Sequence, residues 1–587
     1  MAKKNHQESW DLSLFYRSLS DPAIERDQAE TDRAIAAFAK RYRTNKAHLR
    51  DPKALAKALK EFEALALLPG NRAGYYVYYR KDLDIADKPA EALAAKLEER
   101  GTRRGNQMLF FALELGKVSK ALQKRFLAAP ELAHCRYFLT QLFDNAKYDL
   151  SEPEEKILSL KSDVAHGRWI QATENILNKQ TVTHGGKSIP LPEAQGMLSN
   201  LPTKARRALN AELNKVYAAV ADIAESELNA VYTNKKINDE LRGMKEPYEA
   251  TIRGYQNDVA SVLALVEAVA KSKKIAHRFY VVKAKLLREK RLTYADRGAQ
   301  VGAVKTKVPF AKAAALVREE FEKLDPRYAA IFDRLLANGQ VDVYPKKGKT
   351  GGAYCASGVG IPTMVLLNHA DTLHDLKTLA HEMGHAIHAE RAKTQDPIYQ
   401  GHPISTAETA STFFETVALK RLIEELPEKE QVIALHDAIQ DDIATVFRQV
   451  ACFRFELALH HEIRAHGYVP KERIAALMNE HMAEYLGPAF DLTPEDGNFF
   501  VTWSHIRRFF YVYSYAYGQL ISKALHRKLA KDPSFIEKVD RFLSAGESKS
   551  PYDIFKACGL DTKKSDVFIE GLKEIEADVR RLEQLVK

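Results

Sequence analysis

Apolar residues in this 587-residue chain recur at helical rather than alternating spacing over long tracts, and that periodicity restricts the fold more than any other feature. Ala54-Leu-Ala-Lys-Ala-Leu-Lys-Glu-Phe-Glu-Ala-Leu-Ala-Leu67 shows the pattern, in a region rich in Ala, Leu, Glu, Lys and Arg that runs from Asp21 to about residue 115. Antiparallel helices are expected there, with turns at Pro69-Gly70, Pro89 and Pro130. Tyr75, Tyr76, Tyr78 and Tyr79 fall on one of these helices and are assigned to packing. Helical segments resume after Pro202, through Ala221–Ala230 and Val262–Ala270. Two stretches differ. Gln180-Thr-Val-Thr-His-Gly-Gly-Lys-Ser-Ile-Pro-Leu191 places β-branched residues around a Gly-Gly turn and predicts a small hairpin. Val341-Asp-Val-Tyr-Pro345, the glycine-rich run Gly348–Gly358 and Met364-Val-Leu-Leu367 form the best strand candidates, a strand-loop-strand unit able to offer backbone groups to an extended peptide. A chain this long exceeds what one hydrophobic core serves, so two or three subdomains or one elongated helical body are expected.

The composition narrows the setting. The four cysteines, Cys135, Cys355, Cys452 and Cys558, form no C-x-x-C pair, which fits a reducing, cytoplasmic location. The start, Met1 to Trp10, is polar without an apolar core behind its lysines, and nowhere do 18 apolar residues run together; no membrane association is expected. Lys plus Arg exceed Asp plus Glu by 88 to 78, a small and dispersed excess that suits a solvated surface better than a nucleic-acid stripe. The glycine-rich run lacks the closing Gly-Lys-Ser/Thr of a phosphate-binding loop.

Chemistry enters at Leu379-Ala-His-Glu-Met-Gly-His-Ala-Ile-His388. His381 and His385, at i and i+4, stack on one face of a helix and can reach one ion, with Glu382 about 100° round the helix beside it. This is the H-E-x-x-H pattern of zinc peptidases. Leu373, Leu376, Ala380, Met383 and Ile387 make an apolar stripe on the same helix, and His374, Thr378, His381, His385 and His388 line another face. The helix rises about 10 Å from position 381 to 388, too far for three imidazole bonds to one ion, so His388 is given a supporting or packing role. A catalytic zinc needs a third protein ligand. The metzincin continuation is excluded, because His388 and Arg391 stand where Gly and His are required. A glutamate on a following helix remains, and Ser405-Thr-Ala-Glu-Thr-Ala-Ser-Thr-Phe-Phe-Glu-Thr-Val-Ala-Leu419 supplies Glu408 and, on the same face, Glu415. The competing role for Glu408 is a capping box with Ser405. Glu415 is expected to orient a ligand histidine. His460-His-Glu-Ile-Arg-Ala-His466 is a near-miss, since Ala465 stands where a second histidine belongs; it is assigned to an ordinary surface or cleft helix.

His381-Glu-Met-Gly-His385 followed by Ala407-Glu-Thr-Ala-Ser-Thr-Phe-Phe-Glu415 resembles the M3 metallopeptidases, above all the oligoendopeptidase F branch. The likeness extends to Trp10-Asp-Leu-Ser-Leu14, the hairpin, Gly351-Gly-Ala-Tyr-Cys355 and an aromatic block near 510. It implies a mainly α fold of two lobes, with a small β-sheet beside the active-site helix and a deep substrate channel. Residues 1–115 would be an N-terminal helical region, 116–200 an oligoendopeptidase F-type subdomain and 201–587 the catalytic domain. The resemblance carries over one zinc per chain on His381, His385 and Glu408, with Glu382 as catalytic base. It places a His and a Tyr of the block Trp503–Gly518 against the bound peptide, for which His505 and Tyr511 are chosen and Tyr515 stands next. Tyr513 and Tyr517 lie on another face and are assigned to the core. Arg507 and Arg508 depart from the Pro-His often seen nearby. The expected activity is zinc-dependent cleavage of internal bonds in short oligopeptides, through Glu-assisted attack of a zinc-activated water. An aminopeptidase would carry a Gly-x-Met-Glu-Asn type strand, which Gly351–Cys355 does not match. The alternative of another class is a non-catalytic helical binding or scaffold protein with an incidental metal motif.

Overall fold

The computed structural model describes residues 7–587, so the first six residues of the polar start lie outside the described residues. The N-terminal tract forms the helices Pro22–Thr44, Pro52–Ala66, Arg72–Leu83 and Lys88–Gly116. Three of them begin alike. Asp21, Asp51 and Asp87 each accept a backbone N–H of the first turn, and Pro22, Pro52 and Pro89 occupy early positions where the missing N–H costs nothing. Pro69-Gly70 and Pro130 open short 3-10 turns between helices, whereas Pro89 sits in the first turn of its helix, just past the break.

Two apolar cores support the N-terminal lobe. One gathers Phe38, Leu55, Leu59, Phe111, Phe126, Leu139 and Phe143. The other packs Trp10, Phe15, Tyr76, Val77 and Tyr79 against Ile361, Met364 and Leu366 of a three-stranded sheet. In that sheet Ile361–Leu366 is central, Val341–Asp342 runs parallel to it, and Tyr354–Gly358 pairs antiparallel on its other side. The glycine-rich run divides accordingly: residues 348–353 make the turn and Tyr354–Gly358 make an edge strand. Trp10 ties the chain start to the sheet, its indole N–H donating to the carbonyls of Val365 and Gln340. Packing accounts for all four tyrosines: Tyr76 and Tyr79 are buried, Tyr75 lies against the same core, and the Tyr78 ring rests 5.7 Å from those of Tyr79 and Tyr354. Tyr78 is 49% exposed, and the Tyr75 hydroxyl donates to the carbonyl of Ser357 on the edge strand.

The hairpin pairs Thr181–His184 with Lys187–Pro190 about Gly185 and Gly186, both at positive φ, the backbone that a two-residue turn of this hand requires. Beyond it stand the 39-residue helix Thr203–Leu241 and the helices of the larger lobe, which share one core from Leu177 to Leu582. The molecule is thus mainly α and two-lobed, with its small sheet beside the helix Leu373–Ala392. Among the described residues no helix is long and apolar enough to cross a membrane.

Candidate metal centre and its surroundings

The H-E-x-x-H residues lie on the helix Leu373–Ala392, started by a reciprocal cap between Thr372 and Asp375. Its buried face carries Leu376, Ala380, Met383 and Ile387, with Leu379 and Ala386 added, which turns the histidine face toward the next helix, Ile404–Glu425. Gly384 decides how near that helix comes. A Cβ at 384 would stand 2.8 Å from Cα of Ser411 and 3.2 Å from the carbonyl of Ala410, so only glycine permits this crossing. Gly518 does the same for the helix Tyr513–Lys531, where a Cβ would meet Cβ of Glu408 at 2.8 Å. Neither glycine was singled out from sequence, although Gly384 sits inside the motif.

This packing brings His381, His385 and Glu408 together, one ligand atom from each lying within 4.8 Å of the others. His381 Nε2 is 4.0 Å from a Glu408 oxygen. Behind them, the Glu415 carboxylate lies 2.8 Å from His381 Nδ1. That bond holds a proton on Nδ1 and leaves Nε2 as the free donor. Glu415 is in turn 3.4 Å from the Lys377 ammonium, which also meets Asp441 at 2.7 Å. Lys377 had no role in the sequence reading, for nothing in its spacing reveals a partner 38 residues away. The capping-box role for Glu408 fails on geometry: Pro403 stands at the N-cap, and the Ser405 hydroxyl is buried with no hydrogen-bond partner.

Electrostatics divides these carboxylates. Burial opposes the charge of Glu415, but Lys377 and His381 overcome it and hold its pKa down at about 2. Burial also opposes protonated His381, and the bond to Glu415 with the charges of Glu382 and Glu408 overrides it, raising the pKa to about 8. Glu382 is pushed up to about 7 by burial, with Glu408 adding to the rise. Its carboxylate accepts from the backbone N–H of Cys355, so the edge strand passes directly beside it. Glu408 is raised by burial as well, leaving a cluster short of positive charge.

His388 turns away from this cluster. It is buried, stacked on His402 with ring centroids 4.5 Å apart.

The aromatic block follows a different path. Ser504–Arg507 is a 3-10 turn, Phe509 and Phe510 adopt left-handed backbone at φ 46 and 63, and the helix begins only at Tyr513. That turn gathers His505, Tyr511 and Tyr515: the two hydroxyls are 3.2 Å apart, and the imidazole lies 5.5 and 6.2 Å from the two phenol rings. Tyr515 lines a cavity of about 510 Å³ together with His381, Glu408 and Glu415. Burial and the charges of Arg448 and Arg508 hold His505 down at about 4, so it is neutral near pH 7. Tyr513 and Tyr517 are fully buried.

Buried polar clamps hold the turn. Arg507 makes a paired bond to Glu227 on the long helix, at 2.8 and 2.9 Å, and donates to the carbonyls of Phe500, Val501 and Trp503. Glu456 accepts from the N–H of Phe510 at 2.9 Å. The near-miss motif therefore needs correcting at one position: His460 is not on a surface but buried, stacked between Tyr232 and Phe510 beneath this turn.

The donor set suits zinc. Two imidazoles and a carboxylate are the ligands of many open zinc sites, in which donors stand about 3.3 Å apart. Small movements close the observed spacing, and a dication relieves the crowding of Glu382, Glu408 and Glu415. Such a centre, on crossing helices in a mainly α two-lobed fold, defines a metallopeptidase of the H-E-x-x-H kind. The chain belongs to peptidase family M3, whose model matches residues 204–574. A second model, described as Oligopeptidase F, matches residues 114–180.

Oligopeptidase PepF of Bacillus subtilis (strain 168) is 25% identical over 528 residues, which span 87% of this chain and 78% of the relative. Among solved structures, a protein of Chlamydophila abortus aligns with a TM-score of 0.85 at 22% identity, covering 99% of this chain and 98% of its own. Oligoendopeptidase-F from Enterococcus faecium aligns at 0.69 and 20% identity, covering 95% and 99%. Both likenesses concern the fold. Family membership makes the chain a metallopeptidase acting on peptides and decides against a non-catalytic scaffold.

Proposed function

We propose that this metallopeptidase is a zinc-dependent endopeptidase that hydrolyses internal bonds of short oligopeptides, with one zinc per chain held by His381, His385 and Glu408. The observation that carries the reading is the placement of Glu382, buried between the histidine pair and the free edge of a strand. Zinc bound there would supply a Lewis acid for the scissile carbonyl and lower the pKa of water.

The chain's own groups do the rest. Tyr354–Gly358 is an edge strand, so an extended peptide can pair with its backbone and lie across Glu382. Glu382, with its pKa near 7, takes the proton of the attacking water and returns it to the departing nitrogen. Tyr511 and Tyr515, seconded by neutral His505, donate hydrogen bonds to the oxyanion that forms on the carbonyl carbon. Glu415, fixed as an anion by Lys377, keeps His381 turned correctly. The channel between the lobes would admit short chains and exclude folded proteins.

The test uses a quenched fluorescent oligopeptide blocked at both ends, alongside a folded protein. The wild type is expected to cut the blocked peptide internally and spare the folded protein. Glu382→Gln should retain its zinc and lose roughly 10²–10⁴-fold in turnover. Cleavage only of peptides with a free amine, or full activity of Glu382→Gln, would overturn the assignment.

A further inference from the structure

A second set of metal-type donors lies outside the site described above. Glu63 comes from the helix Pro52–Ala66, and His134 and Cys135 come from the turn that opens the helix Arg136–Asn145. One ligand atom from each falls within 4.8 Å of the others, the same limit that the catalytic donors meet. The His134 Nε2 to Glu63 separation is 3.9 Å. Cys135 is completely buried and His134 is exposed, so the cluster has a closed side and an open one.

Two details mark Glu63 as short of partners. Glu63 accepts from the backbone N–H of Ile398, but its Oε1 is buried with no hydrogen-bond partner. Among the described residues its sole ion-pair partner is His134. The unpartnered Glu63 oxygen, the Cys135 sulfur and the His134 imidazole thus converge on one small volume.

From this geometry we infer a second transition-metal site, formed by Glu63, His134 and Cys135, that takes Zn²⁺. The donors are one thiolate, one imidazole and one carboxylate, a borderline-soft set that suits zinc and does not suit calcium or magnesium. On binding, the thiol proton of Cys135 leaves to solvent and the sulfur takes the metal in its place. Asp396, which is exposed, lies close enough for its charge to act on Glu63 and Cys135 and could complete the ligand set.

The position gives the site a structural consequence. Glu63 and Cys135 belong to the N-terminal lobe, whereas Asp396 and Ile398 follow directly on the motif helix. The backbone N–H of Phe138 donates to the Tyr399 hydroxyl across the same seam, at 3.1 Å. An ion here would fasten two N-terminal segments beside the stretch that leaves the active-site helix, and so brace the seam between the lobes.

Cobalt separates this site from the catalytic one, whose proposed ligands include no thiolate. Full-length protein loaded with Co²⁺ should show a near-ultraviolet sulfur-to-cobalt charge-transfer band, absent in Cys135→Ser and retained in His385→Ala. Zinc-loaded, desalted wild type should hold two zinc ions per chain by mass spectrometry, and Cys135→Ser should hold one. His134→Ala, at an exposed position, should also hold one, and keeps the test valid if Cys135→Ser misfolds. A single zinc in the wild type, no band, or a band that survives Cys135→Ser would overturn the inference.

Discussion

The paired motif and glutamate helices line the cavity directly, the aromatic turn reaches it through the Tyr511–Tyr515 hydroxyl contact, and the two are built by opposite means. The helices are regular, and each presents its side chains at spacings of four or seven. Their one special requirement is the absence of a Cβ at Gly384. The turn bends through two phenylalanines at positive φ, a backbone that costs about 1–3 kcal/mol per residue and persists only where its surroundings enforce it. Glu456 and the Arg507–Glu227 pair do the enforcing from below. A regular helix needs space to place a functional group, whereas an irregular turn needs buried polar partners.

Removing a donor from the helix pair should give the largest effect. Glu408→Ala is expected to weaken zinc retention by more than about 100-fold, beyond the range for loss of an outer-shell partner. Chelator competition measures this, and unchanged retention would break the ligand assignment. Gly384→Ala attacks the same pair through its spacing. A methyl 2.8 Å from a backbone atom must push the helices apart, at about 1–3 kcal/mol of stability and with weaker zinc retention. Gly74→Ala serves as its control, because a Cβ there meets nothing within 4 Å. Equal melting temperatures for the two variants would show that the close crossing is unnecessary.

On the aromatic side, Tyr511→Phe should lower kcat by about 10²-fold with little change in KM, the signature of a donor used in the transition state. Tyr515→Phe shares the assay, and whichever variant falls further identifies the principal donor. In the clamp the expected effect falls on stability and is confined to the pH window of one carboxyl. Burial pushes the Glu456 carboxyl up to about 8, and one of its oxygens lacks a partner. A raised folded pKa means the folded state binds the proton more tightly. The resulting stability is complete below the unfolded value of about 4.3 and is lost as pH rises toward 8. Glu456→Gln keeps an acceptor for Phe510 and removes that dependence, so its melting temperature should gain on the wild type between those limits. Parallel curves would mean that Glu456 is charged in the folded protein.

Much of the helix pair was open to reading because its information is local. The spacing of His381 and His385, and of Glu408 and Glu415, survives folding unchanged within each helix. Local pattern also located the hairpin, whose two glycines adopt the φ their turn demands. In the aromatic block the pattern put Tyr513 and Tyr517 in the core, where they are fully buried, but gave no sign of the left-handed turn before them. His460 was misplaced for a related reason: exposure depends on what the neighbouring element covers, and a single helix does not carry that knowledge.

What the sequence determined by itself was the helical body, the small sheet region, the histidine pair and the glutamates on one face, all consequences of backbone periodicity. Tertiary structure decided the partners. It set Lys377 against Glu415, laid the N–H of Cys355 on Glu382, and closed Gly384 and Gly518 around Glu408. It also brought Glu63 to a cysteine 72 residues away. Such contacts form between elements whose separation along the chain is arbitrary, and only the packing of one helix against another selects them.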